Sequence, residues 1–149
     1  KKESNVLEIG CAKGYLLDEF CRKGINSYGI DISTYAVSKN RKMAKKKVKI
    51  FNVEKGIPYN KRFFDLVISK DTLPLIKSSK IKNVIKEINR VVKNKKNIFL
   101  QIQGVSNKKR AYLMNKWDPT HHSCLTSKEW FKKLRSYGYR GYVEIKHLF

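Results

Sequence analysis

The chain has 149 residues, with 34 Lys+Arg against 12 Asp+Glu for a formal net charge of +22, and 41% of it is apolar. That length holds one domain with a sizeable core and excludes two ordinary ones, and the apolar share excludes an intrinsically disordered chain. The charge raises nucleic acid, an anionic membrane surface and acidic small molecules as partners.

In chain order, residues 5–9 (NVLEI) are a short apolar run closed by Gly10, with the length and branching of a buried strand. Residues 14–23 follow with Leu16, Leu17, Phe20 and Cys21 on one helical face and Gly24 as the stop. Residues 27–30 return as a second strand ending at Asp31, and Ser33 caps a helix running through Ala36, Val37, Met43 and Ala44. Residues 48–51 are a third strand and residues 64–69 (FDLVIS) a fourth. Ile81, Val84, Ile85, Ile88, Val91 and Val92 recur at helical spacing, and residues 97–102 (NIFLQI) are a fifth strand. Thr126 and Glu129 then spell a capping box, Leu125 and Trp130 a hydrophobic staple, and Trp130, Phe131, Leu134 and Tyr137 an inward face that Gly138 ends. Residues 142–148 are a sixth strand. Strands alternating with helices predict an α/β fold with a doubly wound, mostly parallel sheet and right-handed crossovers. No repeat or linker divides it, so residues 1–149 are expected to form a single domain.

The segment richest in chemistry is Glu8-Ile9-Gly10-Cys11-Ala12-Lys13-Gly14, which leaves a strand and enters a helix. Small residues there let the backbone pass close beneath a ligand, and a helix N-terminus offers N–H groups. A dinucleotide fingerprint needs a small residue at position 15, where Tyr15 stands, and a phosphate loop needs GK[ST], which is absent. Asp31 lies 31 − 10 = 21 residues after Gly10, at the tip of the second strand, where a carboxylate accepts ribose hydroxyls.

VLEIGCAKGYLLDEF, YGIDISTYAV, FDLVISKDTL and IKEINRVVKNKKNIFLQI resemble, in this order, successive motifs of the class I S-adenosylmethionine-dependent methyltransferases. The likeness covers nearly the whole chain and is closest to a subgroup with GCAKG, YGxDIS and DPTH motifs, the last here at Asp118, Pro119, Thr120 and His121. It implies strand order 3-2-1-4-5 with a later strand beside the fifth, S-adenosylmethionine as cofactor, S-adenosylhomocysteine as product and a methyl acceptor as partner. It places Glu8, Gly10, Cys11, Ala12 and Gly14 around the methionine and ribose portions, and Asp31 on the ribose hydroxyls. Ile32 would pack on adenine, Asn52 and Val53 would meet the adenine edge, and Ser69 and Lys70 would line the floor near the reactive methyl. Ala12 stands where the family has a glycine, and Asn52 where Asp is more usual. The family fold ends in a hairpin-like seventh strand, whereas one strand candidate follows Gly138 and the chain opens at Lys1, so truncation at both ends is expected.

Displacement at a sulfonium methyl is largely a matter of positioning, and a base is needed only for a protonated acceptor. Asp71, just past the fourth strand, and His121 are the candidates for that base, with the alternatives that Asp71 caps the next turn and His121 is a loop residue. His122 is expected to be exposed, and Tyr15, Tyr112 and Trp117 are candidates for the pocket mouth. The spelling Ser69-Lys70-Asp71-Thr72-Leu73-Pro74, in place of an Asn/Asp-Pro-Pro-aromatic motif, favours O-methylation of a small molecule or glycan. An RNA acceptor held by the basic surface is the alternative, and a non-catalytic cofactor-binding or interaction module the second.

The charge itself is 27 Lys and 7 Arg, whereas phosphate-reading surfaces favour the bidentate Arg fork. It is therefore read as lysine-rich composition of the kind AT-rich coding produces, with the basic residues 39–49 as a solvated face before a polyanion contact. No run approaches the roughly 18 apolar residues of a membrane span and no signal-peptide core opens the chain, so a soluble cytoplasmic protein without a membrane partner is expected. Cys11, Cys21 and Cys124 form no CxxC pair, which predicts reduced thiols and no metal.

Overall fold

Short branched runs closed by glycine or aspartate become the strands, and stretches with apolar residues three and four apart become the helices between them. The computed structural model describes residues 3–41 and 47–147. The chain runs through β1 (Asn5–Ile9), α1 (Tyr15–Arg22), β2 (Asn26–Asp31), α2 (Thr34–Ser38), β3 (Val48–Ile50), β4 (Leu66–Lys70), α3 (Ile81–Val91), β5 (Ile98–Gly104), α4 (Lys108–Trp117), α5 (Ser127–Ser136) and β6 (Tyr142–His147). Six strands form one sheet in the order β3-β2-β1-β4-β5-β6, every neighbouring pair parallel. The expected order, including the later strand beside the fifth, is the observed one.

From β1 the chain steps outward through β2 to β3, then returns to the far side of β1 for β4, β5 and β6. The carboxyl ends of β1, β2 and β4 therefore surround the point where strand order reverses, which is where open α/β sheets leave a crevice.

The stripe on α3 supplies much of the core: Ile81, Val84, Ile85, Ile88 and Val91 are all 0% exposed and join Phe64, Val67 and Leu100 in one cluster. Each such aliphatic side chain contributes about 1.5–3 kcal/mol by leaving water. No side chain caps the start of α3 at Lys80, so this packing, rather than end chemistry, holds the helix. On the other side of β1, Gly29 of β2 makes room for α1: a Cβ there would lie 2.6 Å from both Cys11 Sγ and Leu17 Cδ1.

Several expectations are corrected. The helix begun at Ser33 ends at Ser38, and Met43, Ala44 and the middle of the basic segment 39–49 lie outside the described residues, as does position 148 of the sixth strand. Phe64 is not in β4 but makes an isolated bridge to Val92. Phe131 faces outward at 42% exposure, because the inward stripe of α5 narrows to Trp130 and Leu134. The capping box at Thr126 and Glu129 is present. Helix α4 had no expectation: of its residues only Met114 is buried, so its apolar pattern is faint, although Asn107 caps it by accepting from Arg110 N–H. Among the described residues no helix is long and apolar enough to cross a membrane.

Candidate functional site

A cavity of about 520 Å³ opens at the carboxyl ends of β1, β2 and β4. Its floor is the turn between β1 and α1. Gly10 has φ +75 and Gly14 φ +69, the left-handed region that glycine enters freely, and Ala12 between them has φ +45. The side chain of Thr72 sits against Gly10, where any Cβ would collide with it, and Thr72 Oγ1 donates to the carbonyls of Ile9 (3.2 Å) and Lys70 (3.1 Å).

The turn consumes four of its five donors. Gly10 and Cys11 N–H both donate to the Ile30 carbonyl, Gly14 N–H donates to Cys11, and Ala12 N–H donates to Asp31 Oδ2 at 2.7 Å. Asn40 Nδ2 closes the loop from outside on the Ala12 carbonyl at 2.9 Å. Phosphate-binding turns keep such N–H groups open for the anion, so this turn offers close backbone approach without a phosphate cradle.

Asp31 ends β2 with its second oxygen, Oδ1, accepting from Ser33 N–H at 2.8 Å. The two bonds lock the carboxylate in place and leave each oxygen one acceptor site free. Asn52 Oδ1 accepts from Glu54 N–H at 2.9 Å and so caps the turn Val53–Lys55, which leaves its amide N–H groups as the end able to meet a ligand.

Glu8 lies on β1 in register with Gly29 and Ile68, 6% exposed, and its Oε2 has no partner among the described residues. Burial pushes its carboxyl from the ordinary 4.5 up to about 7; Lys70 opposes the rise and Asp31 adds to it. Burial, then Asp31 and Glu8, push the Cys11 thiol up to about 12, which makes it a neutral packing group rather than a nucleophile.

Beyond β4, Asp71 has φ +54 and accepts from Gln101 Nε2 at 2.8 Å, while its Oδ1 is buried without a partner among the described residues. It does not cap the turn Leu73–Leu75, which starts at Thr72 without a side-chain cap. The two histidines divide differently from expectation. His121 is 6% exposed, with Nε2 2.6 Å from Gln103 Oε1 and Nδ1 2.9 Å from Asp118 Oδ2, and it does not line the cavity. The tight turn that brings His121 N–H onto the Asp118 carbonyl folds its ring onto β5. His122 is exposed, its N–H donates to the Pro74 carbonyl at 2.8 Å, and it does line the cavity. Thr120, through its hydroxyl and backbone N–H, holds the Asp118 carboxyl below its ordinary range.

Of the residues expected at the site, Gly10, Ala12, Asp31, Ile32, Asn52, Val53, Lys70 and Asp71 line one cavity. Glu8, Cys11, Gly14, Ser69 and His121 are buried and are not among the lining residues, Ser69 being fully buried. Ile9, Ile30, Phe51, Glu54, Thr72, Leu75, Ile76, Lys77 and His122 complete the lining without having been singled out for it. Ile9, Ile30, Phe51, Glu54, Thr72 and His122 adjoin expected residues in the sequence, which does not by itself say which side chains turn inward, and Leu75, Ile76 and Lys77 carried no signal. Tyr15, Tyr112 and Trp117 are each more than 60% exposed and are not among the lining residues.

The methyltransferase domain profile matches residues 7–100. Among curated proteins none matches the chain. Among solved structures the fold is similar to a Bacillus halodurans protein described as a methyltransferase, with TM-score 0.76 at 17% identity over 93% of this chain and 63% of that one. It is also similar to an S-adenosylmethionine-dependent methyltransferase of Methanosarcina mazei, with TM-score 0.70 at 20% identity over 92% and 80%. A third likeness is to a methyltransferase of Haloferax volcanii in complex with the activator Trm112, with TM-score 0.75 at 15% identity over 93% and 62%. The chain thus spans under two thirds of the length of the Bacillus halodurans and Haloferax volcanii proteins. These identities speak for the fold, whereas the profile runs through more than half of the sequence, from β1 into β5; the chain belongs to the methyltransferase domain family.

Proposed function

We propose that this domain transfers a methyl group from S-adenosylmethionine to a hydroxyl of a small molecule or glycan. The observation that carries the reading is the Gly10–Gly14 turn joined to Asp31: four of its five N–H groups are spent within the protein, so it suits a ligand without a pyrophosphate, and Asp31 stands at the strand tip with acceptor capacity left for ribose hydroxyls. Glu8 fits the same ligand, since a buried carboxylate oxygen without a partner among the described residues suits a cationic ammonium.

When bound, S-adenosylmethionine supplies a methyl activated by its sulfonium charge. The residues here would do the rest. Asp31 would hold the ribose hydroxyls, Asn52 would present its N–H groups to the adenine edge, and Ile32, 65% exposed, would lie on the ring. Gly10 and Ala12 would let the backbone approach the methionine portion, and Lys70 would mark the floor by the methyl. Asp71 and His122 face the cavity as groups able to take a proton from a hydroxyl acceptor.

The net charge of +22 favours a second reading, an RNA acceptor. Release of S-adenosylhomocysteine over a panel of RNA, glycans, phenols and small acids tests both, and turnover on RNA alone would reverse the preference. Asp31→Ala is expected to weaken cofactor binding by about 1.5–3 kcal/mol, one charge-assisted contact. Unchanged calorimetric affinity would remove Asp31 from the site.

A further inference from the structure

We propose that Gln101 is the positioning residue for Asp71, holding one of its carboxylate oxygens so that the other takes the proton of a hydroxyl acceptor. The inference rests on the methyl-transfer reading and goes beyond it in assigning the proton.

Asp71 is held in the left-handed region, φ +54, by two bonds from one residue of the neighbouring strand. Its N–H donates to the Gln101 carbonyl at 2.9 Å, and Gln101 Nε2 donates to Asp71 Oδ2 at 2.8 Å. Gln101 is itself 8% exposed. Its amide turns the nitrogen, the donor end, to the accepting Asp71 Oδ2. The result is a carboxylate with one oxygen anchored and the other, Oδ1, buried with no partner among the described residues, in a side chain that lines the cavity. A structural role leaves both observations without a compensating gain: Asp71 caps nothing, and an unmade bond at a buried acceptor is costly. A ligand O–H supplies the missing donor.

Gln103, two residues along β5 and on the same face, holds His121 rather than a cavity-lining side chain, so the assignment is particular to Gln101. The charged or titratable groups that share the cavity with Asp71 are Asp31, Glu54, Lys70, Lys77 and His122, and Glu144 of β6 pairs in register with Gln101. In the step, the acceptor oxygen forms a bond to the methyl carbon, the carbon–sulfur bond breaks with its electron pair left on sulfur, and the acceptor proton passes to Asp71 Oδ1 and from there to water.

The test uses the full-length protein with catechol, glycerol and methyl glucoside as hydroxyl probes. Calorimetry reads S-adenosylmethionine binding and S-adenosylhomocysteine release reads turnover. Gln101→Leu is expected to lower kcat at least tenfold, with the cofactor Kd and the probe KM within twofold of wild type. Gln101→Glu, which sets a second carboxylate beside Asp71, is expected to move the acid limb of the kcat profile to higher pH, and Asp71→Asn to abolish that limb. Independently of turnover, the Gln101 side-chain amide signals in a 15N–1H spectrum are expected to shift when Asp71 becomes Asn. A Gln101→Leu protein with wild-type kcat and pH profile overturns the proposal. So does a wild type that binds the cofactor yet methylates none of the three probes. Absence of cofactor binding in the wild type, read before any variant, overturns the methyl-transfer reading as well.

Discussion

Replacing Glu8 by Gln separates the stability of the fold from the function assigned to it. In the unfolded chain this carboxyl ionises near 4.5, whereas in the fold burial holds its proton up to about 7. Between those values the folded state binds more protons than the unfolded one, so stability falls as pH rises. By pH 8 the buried carboxylate costs about 3 kcal/mol relative to pH 4. Gln keeps the shape and removes the charge. Glu8→Gln is therefore expected to differ from wild type by a constant below pH 4.5 and to gain on it by about 3 kcal/mol between pH 4.5 and 8. Urea denaturation at several pH values measures the gap. Cofactor binding should move the other way, weakened by roughly 1.5–3 kcal/mol at pH 8 through the lost ammonium contact. A stability gap that does not change with pH, or one that shifts toward wild type as pH rises, would refute the reasoning about Glu8.

Three further substitutions probe the site and its surroundings. Ala12→Gly, at φ +45, is expected to stabilise the fold by about 1 kcal/mol, because glycine enters that conformation without strain; a lower midpoint in thermal unfolding would contradict it. His121→Ala leaves Gln103 Oε1 and the buried face of the Asp118 loop without their partner, so a loss of about 1–3 kcal/mol in stability is expected with cofactor affinity unchanged. His122→Ala, on the exposed cavity wall, is expected to stay within about 0.5 kcal/mol in stability and to raise acceptor KM instead. The reverse pattern in calorimetry and kinetics would return the role to His121.

The sheet was legible because each strand is short, branched and punctuated, and because a parallel order follows from alternation with helices. The β1–α1 turn and Asp31 were legible for a different reason: a left-handed turn leaves glycines in the sequence, and a strand tip 21 residues on leaves a carboxylate. What escaped depends on which way single side chains turn. Nothing in His121-His122 tells which ring folds onto β5, and nothing around Phe131 tells that the α5 stripe leaves it out and keeps Trp130 and Leu134. Helix α4 escaped because Met114 alone anchors it: Tyr112, Leu113 and Trp117 are exposed, so its apolar residues make no inward stripe. Gln101 did leave a trace, a polar residue inside the apolar run NIFLQI, but its meaning required the partner across the strand, Asp71, whose capping alternative the structure removes.

The most direct test of the central claim is a calorimetric titration of the full-length protein with S-adenosylmethionine, run beside Asp31→Ala. Saturable binding in the wild type that weakens about tenfold or more in the variant is the predicted result. No heat and no thermal shift at millimolar cofactor would contradict the assignment of this cavity.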